Sequence, residues 1–429
     1  MRLIADLQLH SRFSGATSDK MRVGEISYYA QLKGLNLLGT GDALHPTWLA
    51  ELEDSLEELE GSGLYVSRSG EYRGIFFIVQ TEVATVHELG GKARRIHHVI
   101  LMPSFEIAHQ LRDLLEPYGN IDADGRPVLE ITPAELVEIV MATSRDNLVF
   151  PAHAWTPWWS IFGAFSGVDR VEECYEDQTK HIHAIETGLS SDPPMNYRCS
   201  WLDRYVLLSS SDAHSPYPYR IGREAVVFEL RRPSYRELVD AVRRRDKSRI
   251  KMTVEVPPEY GKYHWSGHRR CGFGPVSPSE AKKLGYKCPV CGRKLTKGVD
   301  DRVEELADRE PGYTPPDAIG FIRLLPLQEL IAVSLGMGPE AEAKLMSQKV
   351  WKQYLKLIEA FGNEFNILLD ASIESIREQA GPRLAELIAA MREDRLRFTP
   401  GYDGVYGRLM LGEARSEGAK AGGTLDRYY

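Results

Sequence analysis

Asp212 and His214 stand two residues apart in the stretch SSSDAHSPYPYR, directly after the apolar run YVLL. In a strand alternate side chains share a face, so Asp-x-His presents a carboxylate and an imidazole together, a metal-ligand spacing. Taken alone, the pair is also what an exposed turn rich in Ser and Pro collects for solvation. Its company decides between the two. Short apolar runs ending in His, Asp or Glu recur through the first 230 residues: RLIADLQLH, LNLLGTGDALH, GIFFIVQTE, RIHHVIL, NLVFPAH, IHAIETG and YVLLSSSDAH. His10, Asp42, His45, Glu82, His97 or His98, and His153 thereby join Asp212 and His214 at or just past run ends. Burying so many titratable groups together without a metal is costly, so the set predicts a metal cluster.

The elements that must position these residues follow from the same runs. Continuous apolar runs of this length read as strands buried on both faces, as in a parallel sheet covered by helices. Helical patterns fit between them, at Glu25 to Lys33, from Pro46 through WLAELEDSLEELE, and in TPAELVEIVMATS. The last carries Thr132 as N-cap, Pro133 at the first helical position and Glu135 in the first turn. Strand and helix alternate, and the economical α/β architecture is a closed β/α barrel with its chemistry on the C-terminal face of the strands.

With 429 residues, 43% of them hydrophobic, the chain can bury more than one core. No signal peptide pattern and no apolar run of the roughly 20 residues a spanning helix needs are found, which predicts a soluble, cytoplasmic protein with no membrane partner. Five cysteines do not make a secreted disulfide framework. The net charge of -8 hides a basic segment, because Arg231 to Lys297 holds 18 Lys and Arg against 6 Asp and Glu. Such a segment in an acidic protein is a footprint for a polyanion.

The residues DLQLHS, GTGDALHP, TEV, IHHVIL, PAHAW and SSDAHS resemble the polymerase and histidinol phosphatase (PHP) domain, a distorted seven-unit β/α barrel carrying up to three divalent metals. With the 200 residues that follow, the chain resembles the endonuclease Q family along nearly its whole length. That family nicks DNA immediately 5′ of deaminated bases. The resemblance implies that His10, Glu82 and Asp212 hold one metal, with Glu82 bridging to a second held by His153 and an imidazole near residue 97. It implies a third metal on His45 and His214, with Asp42 as ligand or support. The family motif begins His-x-His, whereas this chain has Gln8 before His10, a neutral and weaker ligand. Related sequences favour His97 over His98 as the imidazole that enters the cluster. Zn, Mg or Mn are the candidate ions, and Asp212, Glu82 and His214 the residues nearest the chemistry.

After residue 256 the composition changes. The segment 257–300 is rich in Gly, Pro and basic residues and contains His264, His268, Cys271, Cys288 and Cys291. Cys288-Pro-Val-Cys291 followed by Gly292 is a knuckle that lets two thiolates grip one zinc, and His268 with Cys271 supplies a second pair. A redox Cys-x-x-Cys would expect a thioredoxin-like context, which is missing, so the reading is structural zinc. Cys174 and Cys199 read as buried thiols. Arg243, Arg244, Arg245 and Lys247, and Arg269 and Arg270 in the module, are candidates for backbone phosphates at the mouth of the barrel.

Residues 301–411 show helical periodicity and predict a helical domain, and 412–429 a flexible tail. The tail ends in Leu425, Tyr428 and Tyr429, similar to the peptide that archaeal and eukaryotic partners insert into the replication sliding clamp. If deaminated bases are read on the Watson-Crick edge, the nucleotide must leave the stack. AWTPWWSIFGAF, with Trp158 and Trp159, is then a candidate for the base pocket or for the wedge that fills the gap. The expected activity is metal-dependent phosphodiester hydrolysis in double- or single-stranded DNA. Its rivals are a small-molecule phosphatase of the PHP superfamily, and a DNA-binding protein with an impaired metal centre, for which Gln8 is the first sign.

Overall fold

A computed structural model describes residues 1–337 and 342–410. The tail residues Leu425, Tyr428 and Tyr429 lie outside the described residues. The strands that matter to the site are β1 (Arg2–Asp6), β2 (Leu37–Gly39), β3 (Phe76–Leu89), β4 (Lys92–Met102), β5 (Leu148–Pro151), β6 (Ala184–Glu186), β7 (Val206–Leu208), β8 (Ala225–Glu229), β9 (Ile250–Glu255) and β10 (Gly320–Arg323). They order as β10-β9-β8-β1-β2-β3-β4-β5, while β6 and β7 pair in parallel beside β5, where the Ala154 N–H donates to Glu186 O at 3.0 Å.

The sheet is mixed, which corrects the parallel expectation. β1, β2 and β3 run parallel, but β8 is antiparallel to both β1 and β9, and β4 is antiparallel to both β3 and β5. The reversal between β3 and β4 is made by Gly90-Gly91, both at positive φ (62° and 70°), between the paired residues Leu89 and Lys92. Positive φ at two successive residues is what a two-residue hairpin demands and what glycine adopts without strain. The Gly-Gly was therefore a hairpin signal between runs that otherwise look like separate parallel strands.

Curvature gathers the strands around one apolar interior. Leu3, Ala5 and Leu7 from β1 and its extension meet Ile78, Val99, Phe150, Val206 and Phe228 from five other strands. The helix Tyr235–Arg243 closes this interior at the end where β1 begins. At the opposite end the interior turns polar, with Gln8, His10, Gln80 and Glu82 all fully buried. On the outer face Ile4, Leu38 and Val79 pack under Val23–Lys33, Pro46–Ser55 and Phe105–Leu115 and against the C-terminal helices Leu327–Ser334, Gln348–Phe361 and Pro382–Arg392. Thr132 and Glu135 form the expected capping box on the helix Pro133–Thr143. Among the described residues no helix is long and apolar enough to cross a membrane.

Candidate metal centre

The site is built where the chain leaves β1, β2, β5 and β7. A parallel bridge between Leu9 and Ala213 stitches the extension of β1 to that of β7 and sets His10 beside Asp212. Glu82 and His97 come from the β3–β4 ladder, one register step apart, since Glu82 faces Val99 and His97 faces Ala84. Such diagonal neighbours are within reach of long side chains. Asp42, His153 and Asp212 all sit at positive φ (44°, 30° and 49°), a strained conformation that packing must hold. Gly188 shows the tightness at His153: a Cβ there would lie 2.6 Å from the His153 Cβ.

Two groups of ligand-type atoms result, His10 with Asp212 and His214, and Glu82 with His97 and His153, each within 4.8 Å. Glu82 joins them. Its Oε2 lies 2.9 Å from His10 Nε2, and its Oε1 lies 2.6 Å from His97 Nδ1 and 3.6 Å from His153 Nε2. His10 Nε2 is also 3.0 Å from Asp212 Oδ1. Yet His10 Nε2, Glu82 Oε1, Asp212 Oδ1, His214 Nδ1 and Gln8 Oε1 are buried without hydrogen-bonding geometry. Buried polar atoms left so are costly, and lone pairs converging from imidazoles and carboxylates are satisfied by a cation. The residues therefore fit divalent metals.

Charge in the site points the same way. Burial opposes ionisation of Glu82, but His97 and Arg126 outweigh it and hold the carboxyl well below its usual range. Asp212 is likewise lowered against burial, chiefly by His10. Burial also opposes a charged His10, yet Asp42, Asp212 and Glu82 raise it well above the usual imidazole value. His97 is pushed down to about 4, mainly by burial. The chain thus keeps anionic carboxylates buried, and a proton or a metal must balance them.

Asp42 supports the centre from behind. Its Oδ1 meets His10 Nδ1 at 2.9 Å and its Oδ2 accepts from Ser11 N and Ser11 Oγ, both at 2.6 Å, and from Ser14 Oγ at 3.0 Å. With its oxygens so engaged, it fixes the His10 tautomer so that Nε2 faces Glu82 and Asp212. His45 stands outside both groups. Its ring stacks on Phe13 at 4.3 Å and its Nδ1 accepts from Trp48 N at 3.4 Å, capping a helix. Gln8 donates from Nε2 to Glu82 Oε2 at 2.8 Å. His98 points away, bonded to Thr85 Oγ1 and Tyr175 OH at 2.9 Å each, and His97 is the imidazole in the cluster.

Arg126 and Glu186 belong to the site and were missed in the sequence. Arg126 Nη1 is 3.7 Å from Glu82 Oε1, carried by a loop whose Asp124 is tied to Gly15 N at 3.0 Å. Glu186, fully buried at the end of β6, accepts from His153 N at 2.7 Å, and burial pushes its carboxyl up to about 8. The ending IHAIETG was a signal for Glu186; nothing local marked Arg126. The centre opens to a cavity of about 550 Å3, lined also by Trp158, Trp159, Arg220, Arg223, Lys262 and Tyr263. Trp159 packs on His97 at 5.2 Å, whereas Trp158 is exposed and stacked on the exposed Phe165 at 5.0 Å.

A third group lies apart. His268, Cys271, Cys288 and Cys291 place their ligand atoms within 4.8 Å, and Cys291 Sγ is 3.6 Å from His268 Nδ1. His264 instead stacks on Trp265. Cys174 and Cys199 are buried thiols, as read.

Residues 243–247 of the basic segment are not at the mouth, which corrects their expected place, whereas Lys262 of the same segment lines the cavity. β9 runs parallel to β1, so residues 243–247, which precede it, sit at the end of the sheet where β1 begins, away from the metal residues. Arg243 there donates to Arg145 O and Asn147 O at 2.6 and 2.9 Å, and Arg245 pairs with Asp317 at 3.0 Å. Arg244 and Lys247 are exposed at that end, and Arg269 and Arg270 are exposed on the Cys-rich module.

A mixed α/β fold that holds two adjoining imidazole and carboxylate groups around one glutamate has the donor set of a divalent-metal site. The family model of the MJ0043 C-terminal domain matches residues 326–395. The uncharacterized protein YqxK of Bacillus subtilis is 30% identical over 385 residues, covering 88% of this chain and 89% of its own. The uncharacterized protein MJ0043 of Methanocaldococcus jannaschii is 31% identical over 284 residues, 64% of this chain, which spans 34% of that relative's length. The crystal structure of the lesion-specific endonuclease Q of Pyrococcus furiosus is 34% identical, with TM-score 0.83 and 96% of each chain covered. An endonuclease Q complex with a 27-mer duplex carrying an abasic lesion at the active site is also 34% identical, with TM-score 0.84 and coverage of 97% and 99%. This chain belongs to the endonuclease Q family.

Proposed function

We propose that the chain is a DNA repair endonuclease that hydrolyses the phosphodiester 5′ of a deaminated base (hypoxanthine, uracil or xanthine) or an abasic site. The observation that carries this reading is Glu82, whose two oxygens face two separate imidazole groups, with His97, His153, Asp212 and His214 beside it lining an open cleft. We read the curved sheet as a distorted seven-unit PHP barrel. Residues 257–300 are a zinc module and the helices between Leu327 and Arg392 a helical domain, while β10, which precedes them, joins the main sheet. Two or three divalent ions bound at the cleft would polarise the scissile phosphate and lower the pKa of water. His10, Glu82, His97, His153, Asp212 and His214 would hold them, with the Gln8 amide oxygen available as a neutral donor.

The rest of the chain's work is positioning. Asp42 keeps His10 in one tautomer. Arg126 offers a fixed guanidinium beside the ligands, suited to the negative charge that grows on a phosphate during hydrolysis. Trp158 with Phe165 presents an exposed aromatic wedge for the gap left by a displaced nucleotide. The test is a duplex with one deoxyinosine, one abasic site or neither, incubated with Mg²⁺, Mn²⁺ or Zn²⁺. A single nick 5′ of each lesion is expected. Binding without cleavage by any metal would instead mean an impaired centre.

Arg126→Ala lowers kcat by about 100-fold with a small change in KM, and Arg126→Lys recovers part of it, because the charge acts mainly in the transition state; equal loss in both variants would assign Arg126 to folding. Neutralising Arg244 and Lys247 leaves the salt dependence of DNA binding unaltered, since these residues face away from the cleft. Neutralising Lys262 flattens it by about one counterion.

A further inference from the structure

The two groups that meet at Glu82 are unequal in their donors. On one side Glu82 Oε1 stands 2.6 Å from His97 Nδ1 and 3.6 Å from His153 Nε2. Two imidazoles and one carboxylate are the set of a four-coordinate catalytic zinc, with one position left for water. On the other side Glu82 Oε2 stands 2.9 Å from His10 Nε2, and His10 is grouped with Asp212 and His214. Two imidazoles and two carboxylates already fill a tetrahedron there. A fifth side chain reaches the same carboxylate, since Gln8, two positions before His10 and on the same face of the extended chain, contacts Glu82 Oε2.

The chemistry of that contact orients the Gln8 amide. A carboxylate oxygen only accepts, so the amide atom 2.8 Å from Glu82 Oε2 is the N–H side. An amide nitrogen has no lone pair to give a metal. Gln8 Oε1 is then its one donor, and that oxygen is fully buried with no hydrogen-bond partner. Such an oxygen is costly unless a cation or a water meets it. The group on His10 therefore offers three oxygens and two nitrogens, which suits a hard six-coordinate ion better than a tetrahedral one. It is also the more open group, because the Asp212 side chain is 29% exposed against 8% for His97 and 12% for His153. An ion held there can leave through the cleft.

We propose that the centre holds two kinds of ion: zinc, retained by Glu82, His97 and His153, and an exchangeable ion of the Mn²⁺ or Mg²⁺ class, taken by His10, Asp212, His214 and Gln8. The proposal rests on the metal-dependent reading above and states what each group binds. Gln8 sets the difference. Zinc binds nitrogen-rich sites more tightly than manganese does, and an amide in place of a third imidazole narrows that advantage, so that the more abundant hard ion fills the site. The same amide steadies Glu82 through its N–H, as a supporting partner of a metal ligand does. On this account Gln8 retunes the centre and does not impair it.

The experiment counts metals on the full-length chain without DNA. After dialysis into metal-free buffer, zinc is measured by elemental analysis, and Mn²⁺ is then titrated in while the free ion is followed by electron paramagnetic resonance. Zinc in this centre is the total less the zinc lost in Cys288→Ser. The wild-type chain keeps one zinc here and binds one Mn²⁺. Gln8→His keeps two zinc ions here and no longer takes up Mn²⁺, because an imidazole completes the second zinc set. Gln8→Leu keeps one zinc and binds Mn²⁺ about 10-fold more weakly, a change that a purely structural role of Gln8 would not produce. No zinc or two zinc ions in the wild-type centre overturns the proposal, as does a folded Gln8→His chain with the wild-type count. If Gln8→His does not fold, an unchanged Mn²⁺ affinity in Gln8→Leu overturns it. A chain with the expected counts that nicks no lesion keeps the proposal and sinks the endonuclease reading.

Discussion

Replacing Glu82 with glutamine lowers the nicking rate on an abasic-site duplex by about a thousandfold or more and reduces the divalent metal bound per chain. The substitution keeps volume in a fully buried position, so the core is undisturbed. What it removes is one negative charge shared by both imidazole groups, with His10 Nε2 at 2.9 Å and His97 Nδ1 at 2.6 Å. An amide oxygen is a neutral donor, and loss of about 4 kcal/mol of charge stabilisation corresponds to that rate. Asp212→Ala should give a loss of the same order while sparing DNA binding. Metal analysis, a melting curve and single-turnover nicking check the result together. A folded Glu82→Gln chain with full metal content and near-normal cleavage would remove Glu82 from the centre of the mechanism.

Cys288→Ser costs the chain one zinc and unfolds the module around it. The apolar core there consists of Val276, Ala281, Cys288 and Leu295. So few buried residues are a small core for a module of this size, and on the proposed zinc reading a bound metal would supply the folding free energy instead. The knuckle that presents the thiols is held by Cys288 N to Arg293 O and Gly292 N to Cys288 O, both at 2.8 Å. Loss does not stay local. The segment 401–406 docks on the module through Trp265 N to Gly401 O at 3.0 Å, Arg269 N to Asp403 Oδ2 at 2.6 Å and Thr296 Oγ1 to Asp403 Oδ1 at 2.6 Å. Tyr406, the last residue of that segment, lines the cavity over the metal centre. Limited proteolysis between residues 257 and 300, a fall in melting temperature and weaker lesion nicking should therefore appear together. A variant with one zinc fewer and an unchanged melting temperature would show that the site is not structural.

The donors of the metal centre were legible in the sequence because their chemistry belongs to the residue types and their spacing to the strand repeat. Asp-x-His after an apolar run, Glu at the end of FFIVQTE and the Cys-x-x-Cys knuckle all depend on neighbours a few residues away, and so does the Thr132–Glu135 capping box. Only the tertiary structure decided which way each strand runs and what meets across it. β4 turns back at Gly90-Gly91, and pairing with β3 places His97 next to Glu82 while turning His98 toward Tyr175. Asp42 was legible as an acid near the centre, but its role as the support of His10 depends on Ser11 and Ser14 filling its other oxygen. Arg126 reaches Glu82 from 44 positions away along the chain, and Arg243 lies at the far end of the sheet because β9 parallels β1. Strand direction and loop placement come from pairing energies spread over distant segments, whereas a ligand's identity is carried by one side chain.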